Sequence, residues 1–125
     1  MKNNKKILNE LNNLTEYQEC CLLADYCQAL KLTFSHLAQS TFTTNWAVKM
    51  KNSRMGVNRG VPDYLIIIPK KDKNILLFCE MKRKKGGVVS PEQKNWIEKI
   101  NKTNDCLAFV AKGFEEAREK IKSLL

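Results

Sequence analysis

Near the middle of the chain, Asp63, Glu80 and Lys82 have the residue types and spacing for chemistry on a phosphodiester. Asp63 stands at the mouth of an apolar, β-branched run, Tyr64 to Ile68, and Glu80 lies near the end of a second run that begins at Ile75. The polar KKDKN between the runs is a turn, so the two pair as an antiparallel hairpin that sets Asp63 beside Glu80 at one end of a sheet. Period-two alternation places Glu80 and Lys82 on the same face. Two neighbouring carboxylates repel, and a divalent cation relieves that repulsion. A hard cation such as magnesium takes carboxylate and carbonyl oxygens and keeps several waters, one of which can be activated to attack phosphorus. Lys82 is then placed to hold that water or to stabilise the charge developing on the phosphate.

Each of these residues also has a plainer reading. An isolated Asp after Pro merely opens a strand. Glu80, however, follows five apolar residues deep in a sheet, where an unpaired carboxylate is costly, so a solvated strand end explains it poorly. Gln93 is fully explained as the capping-box partner of Ser90. Glu16 and Glu19 occupy a first helical turn, where the helix dipole alone favours acids. His36 has no partner at readable spacing, and Trp96 reads as core. The basic residues Lys49, Lys51, Arg54, Arg59, Arg83, Lys84 and Lys85, with Ser90, are expected to form a rim that meets phosphates around Asp63 and Glu80.

The whole chain supports such a partner. Its 125 residues carry 22 Lys and Arg against 13 Asp and Glu, a net charge of +9, which on so small a body favours a polyanion, nucleic acid first. Hydrophobic residues at 43% and charged residues at 28% are ordinary globular composition, enough for one core. The five cysteines form no C-x-x-C pair and have no His at metal spacing, which argues for reduced thiols and against a disulfide framework or a zinc site. No apolar window spans a membrane and the N-terminus lacks an apolar leader core, so a cytoplasmic location is expected.

The elements that must position these residues follow from periodicity and caps. Residues 1–14 are an Asn- and Lys-rich arm with Ile7, Leu8, Leu11 and Leu14 at helical spacing, and residues 15–125 are the domain proper. Thr15 with Gln18 caps a helix expected to run to about Leu32. The segment from Phe34 to Lys51 is ambiguous: Thr41 to Thr44 suit a strand, and Trp46 to Met50 a helical turn. After the hairpin, Ser90 caps a helix ending near Lys102, Cys106 to Ala111 make another buried strand, and Phe114 to Leu125 a closing helix with Phe114, Ala117, Ile121 and Leu124 inward. A strand, helix, strand crossover gives parallel pairing, so the expected fold is α/β, a mixed sheet flanked by helices in the order helix, strands, helix, strand, helix.

Pro62-Asp63 followed by Glu80-Met81-Lys82 resembles the PD and E-X-K motif of the PD-(D/E)XK nuclease superfamily. The longer runs GVNRGVPDYLIIIP, LLFCEMKRKKGG and SPEQKNWIEKI resemble the virus-type replication-repair nuclease module, VRR-NUC, including its stand-alone phage members, and TEYQE resembles that family's opening acidic helix. The resemblance implies a restriction-endonuclease-like core whose mixed sheet follows the order αβββαβα, magnesium- or manganese-dependent endonuclease activity on DNA, branched substrates such as Holliday junctions or flaps, and often a homodimer. A phage-encoded member would work in the bacterial host cytoplasm. Carried over by position, Asp63, Glu80 and the backbone carbonyl of Met81 are metal ligands, Lys82 is the catalytic lysine, and Gln93 points into the site. The first-helix acid is Glu16 or Glu19. The chain departs from the family around Thr44-Asn45-Trp46, where Asn-Gly is common. The rival reading is a nucleic-acid-binding module that keeps the fold without the chemistry.

Overall fold

The computed structural model describes residues 3–37 and 43–125. Among these, a four-stranded sheet runs in the order β1 (Thr33–His36), β2 (Tyr64–Ile68), β3 (Ile75–Lys82), β4 (Cys106–Lys112). β1 and β3 both pair antiparallel with β2, and β3 pairs parallel with β4. The helices are α1 (Asn4–Asn12), α2 (Glu16–Ala29), α3 (Trp46–Met55), α4 (Pro91–Asn101) and α5 (Phe114–Leu124). The expected mixed α/β sheet is therefore present, with α4 as the crossover between the parallel strands.

Alternation along β2 buries Tyr64, Ile66 and Ile68, and with Leu77, Cys79 and Met81 of β3 they form the core. Leu23 and Cys27 of α2 and Ala117 and Ile121 of α5 close it from one side. Tyr26 meets Phe114 edge to face at 5.7 Å, joining the two helices. Thr15 accepts from the Gln18 backbone N–H while Gln18 accepts from the Thr15 N–H, so α2 starts where its capping box predicts.

The middle segment corrects the sequence reading. The first strand is Thr33–His36, upstream of the threonine run, and α2 stops at Ala29 because Lys31 turns into the left-handed region at φ 56. Four residues, most of them exposed, on the sheet edge carry too weak a pattern to be read as a strand, whereas a run of threonines has β propensity in its residue types alone. Thr43 and Thr44 lie outside any strand, and Thr41 and Phe42 fall outside the described residues. Trp46 begins a full helix, capped by the Asn45 side chain and closed by Gly56 at φ 80.

Candidate active site

The hairpin register builds the site. Tyr64 pairs with Cys79, so the residues just beyond them, Asp63 and Glu80, come together at the end of the sheet. Asp63 Oδ2 accepts from the Met81 N–H at 2.8 Å, which orients its carboxylate along the β3 edge. On the other side, the Leu37 N–H donates to the Asp63 carbonyl at 2.6 Å, so the end of β1 clips the same residue. Lys82 Nζ lies 3.6 Å from Glu80 Oε1, on the shared face that alternation requires.

Glu80 is 3% exposed. Gln93 Nε2 donates to its Oε1 at 2.7 Å, and Oε2 is buried with no hydrogen-bond partner. Burial and the neighbouring Asp63 carboxylate push the Glu80 carboxyl up to about 8, with Lys82 pulling it down and Glu16 adding to the rise. An acid so placed is a strong acceptor for a cation once it ionises.

Gln93 fills both of the roles that the sequence left open. Its Oε1 accepts from the Ser90 N–H at 2.9 Å and its backbone N–H donates to Ser90 Oγ, completing the capping box, while its amide nitrogen reaches Glu80. Gly60 makes this possible: at φ 96 it packs on the first turn of α4, where a Cβ would lie 2.6 Å from the Glu92 carbonyl carbon and 2.8 Å from the Gln93 nitrogen. Trp96 Nε1 donates to the Arg59 carbonyl at 3.1 Å and ties the same loop to α4. Asp63, Glu80, Gln93, Arg59 and His36 together line a cleft of about 210 Å³.

The other sequence candidates separate. Glu16 is exposed at the start of α2 and its charge acts on Glu80. Glu19, 1% exposed, turns the other way: its Oε2 accepts from the Phe114 N–H at the start of α5, where Gly113 offers no side-chain cap. Of the two acids, Glu16 acts electrostatically on Glu80, while Glu19 is taken up by the start of α5. Lys84 is half-buried and runs its methylenes past Gly113, while Arg83 and Lys85 are exposed. Lys49, Lys51 and Arg54 are exposed on α3, with Lys49 and Arg59 lining one shallow cleft. Ser90 is occupied as the α4 cap. His36 is the residue that sequence reasoning passed over, because only the pairing of β1 with β2 brings it to the site.

All five cysteines are free. Burial pushes the Cys20 and Cys27 thiols up to about 11 and Cys79 well above its ordinary range, so these three are unreactive. Among the described residues no group of three or more His, Cys, Asp or Glu is arranged to hold a metal. A magnesium-type ion asks for less, since it binds through one or two carboxylates and keeps waters and carbonyls for the rest. The unpartnered Glu80 Oε2 beside Asp63 fits that need.

A profile of the VRR-NUC domain matches residues 2–115. The chain belongs to the VRR-NUC domain family, a family of nucleases, and is a nuclease-type DNA-processing module on a PD-(D/E)XK-like fold. A solved structure described as a VRR_NUC domain protein superposes with a TM-score of 0.68 at 27% identity, over 90% of this chain and 89% of that one. Another, described as a VRR_NUC domain, gives 0.63 at 18% identity over 90% and 100%, a likeness of fold. No curated protein is significantly similar. No helix among the described residues is long and apolar enough to cross a membrane.

Proposed function

We propose that the protein is a metal-dependent endodeoxyribonuclease selective for branched DNA, with Asp63, Glu80 and the Met81 carbonyl holding magnesium, or manganese in its place. The observation that carries this reading is the buried Glu80 carboxylate, one oxygen unpartnered, set between Asp63 and Lys82. When bound, the cation supplies a water of lowered pKa and a counter-charge for the phosphate. Lys82, held against Glu80, orients the attacking water and offsets charge on the phosphoryl oxygens. Gln93 fixes the Glu80 rotamer, and Glu16 adds negative charge that favours a cation.

Arg59, which lines the cleft, contacts the DNA backbone, as do the exposed Lys49, Lys51, Arg54, Arg83 and Lys85, so shape matters more than base sequence in substrate choice. The complete set of Asp63, Glu80 and Lys82 disfavours a binding module without catalysis, since a chain freed from that chemistry has no reason to bury an acid at a stability cost. Five free cysteines suit a reducing cytoplasm. Incubation with linear duplex, flap and four-way-junction DNAs in magnesium is expected to cut the branched substrates fastest, with all cutting lost in excess EDTA. Cleavage undiminished by EDTA contradicts the metal, and equal rates on all three contradict the selectivity.

The active unit is a homodimer in the same proposal, because symmetric cutting of a junction needs two centres related by a two-fold axis. In the arm of residues 1–14, Ile7, Leu8 and Leu11 are exposed on α1 and supply an apolar face for that contact. Sedimentation is expected to show a dimer at micromolar concentration that dissociates when residues 1–12 are removed. A monomeric intact chain rules the dimer out.

A further inference from the structure

A second cleft, of about 430 Å³, adjoins the one at Asp63 and Glu80, and His36 lines both. Its other walls come from Tyr17, Cys21 and Ala24 of α2 and from Tyr64 of β2, with Glu16 also on its lining. Tyr17 is 78% exposed. His36 stands edge-on to Tyr64 at 4.9 Å with the rings 86° apart, and Tyr64 donates its hydroxyl to the Cys20 carbonyl at 3.3 Å, so both rings are fixed from below.

The lining chemistry selects the occupant. Among the described residues no lysine or arginine lines this cleft, and a carboxylate does, so it does not suit a phosphate. Aromatic and small apolar walls suit a flat ring, and every nucleobase presents a π face to stack on them. The volume falls in the ordinary range for a small-molecule pocket. A strand whose phosphate lies at Asp63 and Glu80 has this cleft within reach of its neighbouring nucleotide, because His36 borders both. We infer that this cleft is a subsite for one unstacked nucleobase of the substrate strand, flanking the scissile phosphate and resting on Tyr17 and His36. A paired, stacked base cannot enter it, so the subsite selects strands with an unpaired nucleotide beside the cut. This deepens, and rests on, the assignment of Asp63 and Glu80 as the place where phosphodiesters are cut.

Two measurements on the full chain test it. In EDTA, a flap oligonucleotide carrying 2-aminopurine among its unpaired nucleotides is expected to be quenched on saturation by the wild type at one position. That quenching should disappear with Tyr17→Ala or His36→Ala, and His36→Phe should restore it, because the ring remains. In magnesium, an abasic spacer moved through the unpaired strand is expected to slow wild-type cleavage about 5- to 100-fold at that position, the loss of one stacked base, and to slow Tyr17→Ala little further. Quenching that persists in both alanine variants, or a flat spacer scan in an active wild type, overturns the subsite and leaves the metal-dependent reading standing. A wild type that cuts nothing in magnesium yet shows ring-dependent quenching keeps the subsite and overturns the nuclease reading.

Discussion

Asp63→Asn and Glu80→Gln are each expected to lower the cleavage rate by a factor of at least about 10², while affinity for the same DNA stays equal or rises. Both changes keep nearly the same shape. The amide oxygen at position 63 still accepts from the Met81 N–H, and the amide at position 80 leaves Gln93 a partner, so the hairpin end holds. Asp63→Asn removes one negative charge from the place where the cation is proposed to bind, and Glu80→Gln removes the acid whose ionisation would hold that cation. Neither change adds negative charge to a basic protein, so in EDTA its attraction to phosphate does not weaken, and rate and affinity separate. Single-turnover cleavage beside a binding isotherm measures both quantities. Wild-type rates in either folded variant place the chemistry elsewhere.

The second large effect is on stability, and its sign is opposite. Glu80 titrates at about 8 in the fold against an ordinary 4.5, so the native state holds its proton more tightly than the unfolded chain does. The contribution of Glu80 to the stability of the metal-free protein is therefore fully present below the ordinary carboxylate range and is lost as pH rises from about 4.5 through about 8. Burial is the main cause, followed by Asp63, with Lys82 offsetting part of the rise. Glu80→Gln removes the ionisation, and at pH 8.5 in EDTA it is expected to melt above the wild type by on the order of 2–4 kcal/mol, several degrees or more in Tm. At pH 4 the gap closes. Melting curves of the two proteins across pH check this, and a Tm difference between them that stays constant from pH 4 to 8.5 in EDTA contradicts it. A residue whose neutral replacement stabilises the fold is retained for something other than stability.

The parts of the site that lie on one hairpin were legible in the sequence, because the apolar runs of β2 and β3 and the short polar turn fix a register that sets Asp63 beside Glu80. Capping boxes were equally plain: Thr15 with Gln18, and Ser90 with Gln93, mark helix starts to the residue. Contacts made by tertiary packing were not. Glu16 and Glu19 lie within one turn of the same helix and look alike by type and spacing. Only the docking of α5 decides that Glu19 caps Phe114. His36 sits on an edge strand too short and too exposed to announce itself, and its place beside Asp63 depends on pairing with β2. The spacing of Gly60 from Gln93 likewise carries no sign that the two touch.

The central claim is that Asp63 and Glu80 form a divalent-cation site, and titration calorimetry with magnesium and with manganese at pH 7 tests it most directly. Because Glu80 carries its proton over most of the population at that pH in the metal-free fold, cation binding must displace it. The expected result is one saturable site per chain whose heat depends on the ionisation enthalpy of the buffer, with a release approaching one proton, lost in Asp63→Asn. No saturable heat from either ion in the wild type, or unchanged binding in Asp63→Asn, would contradict it.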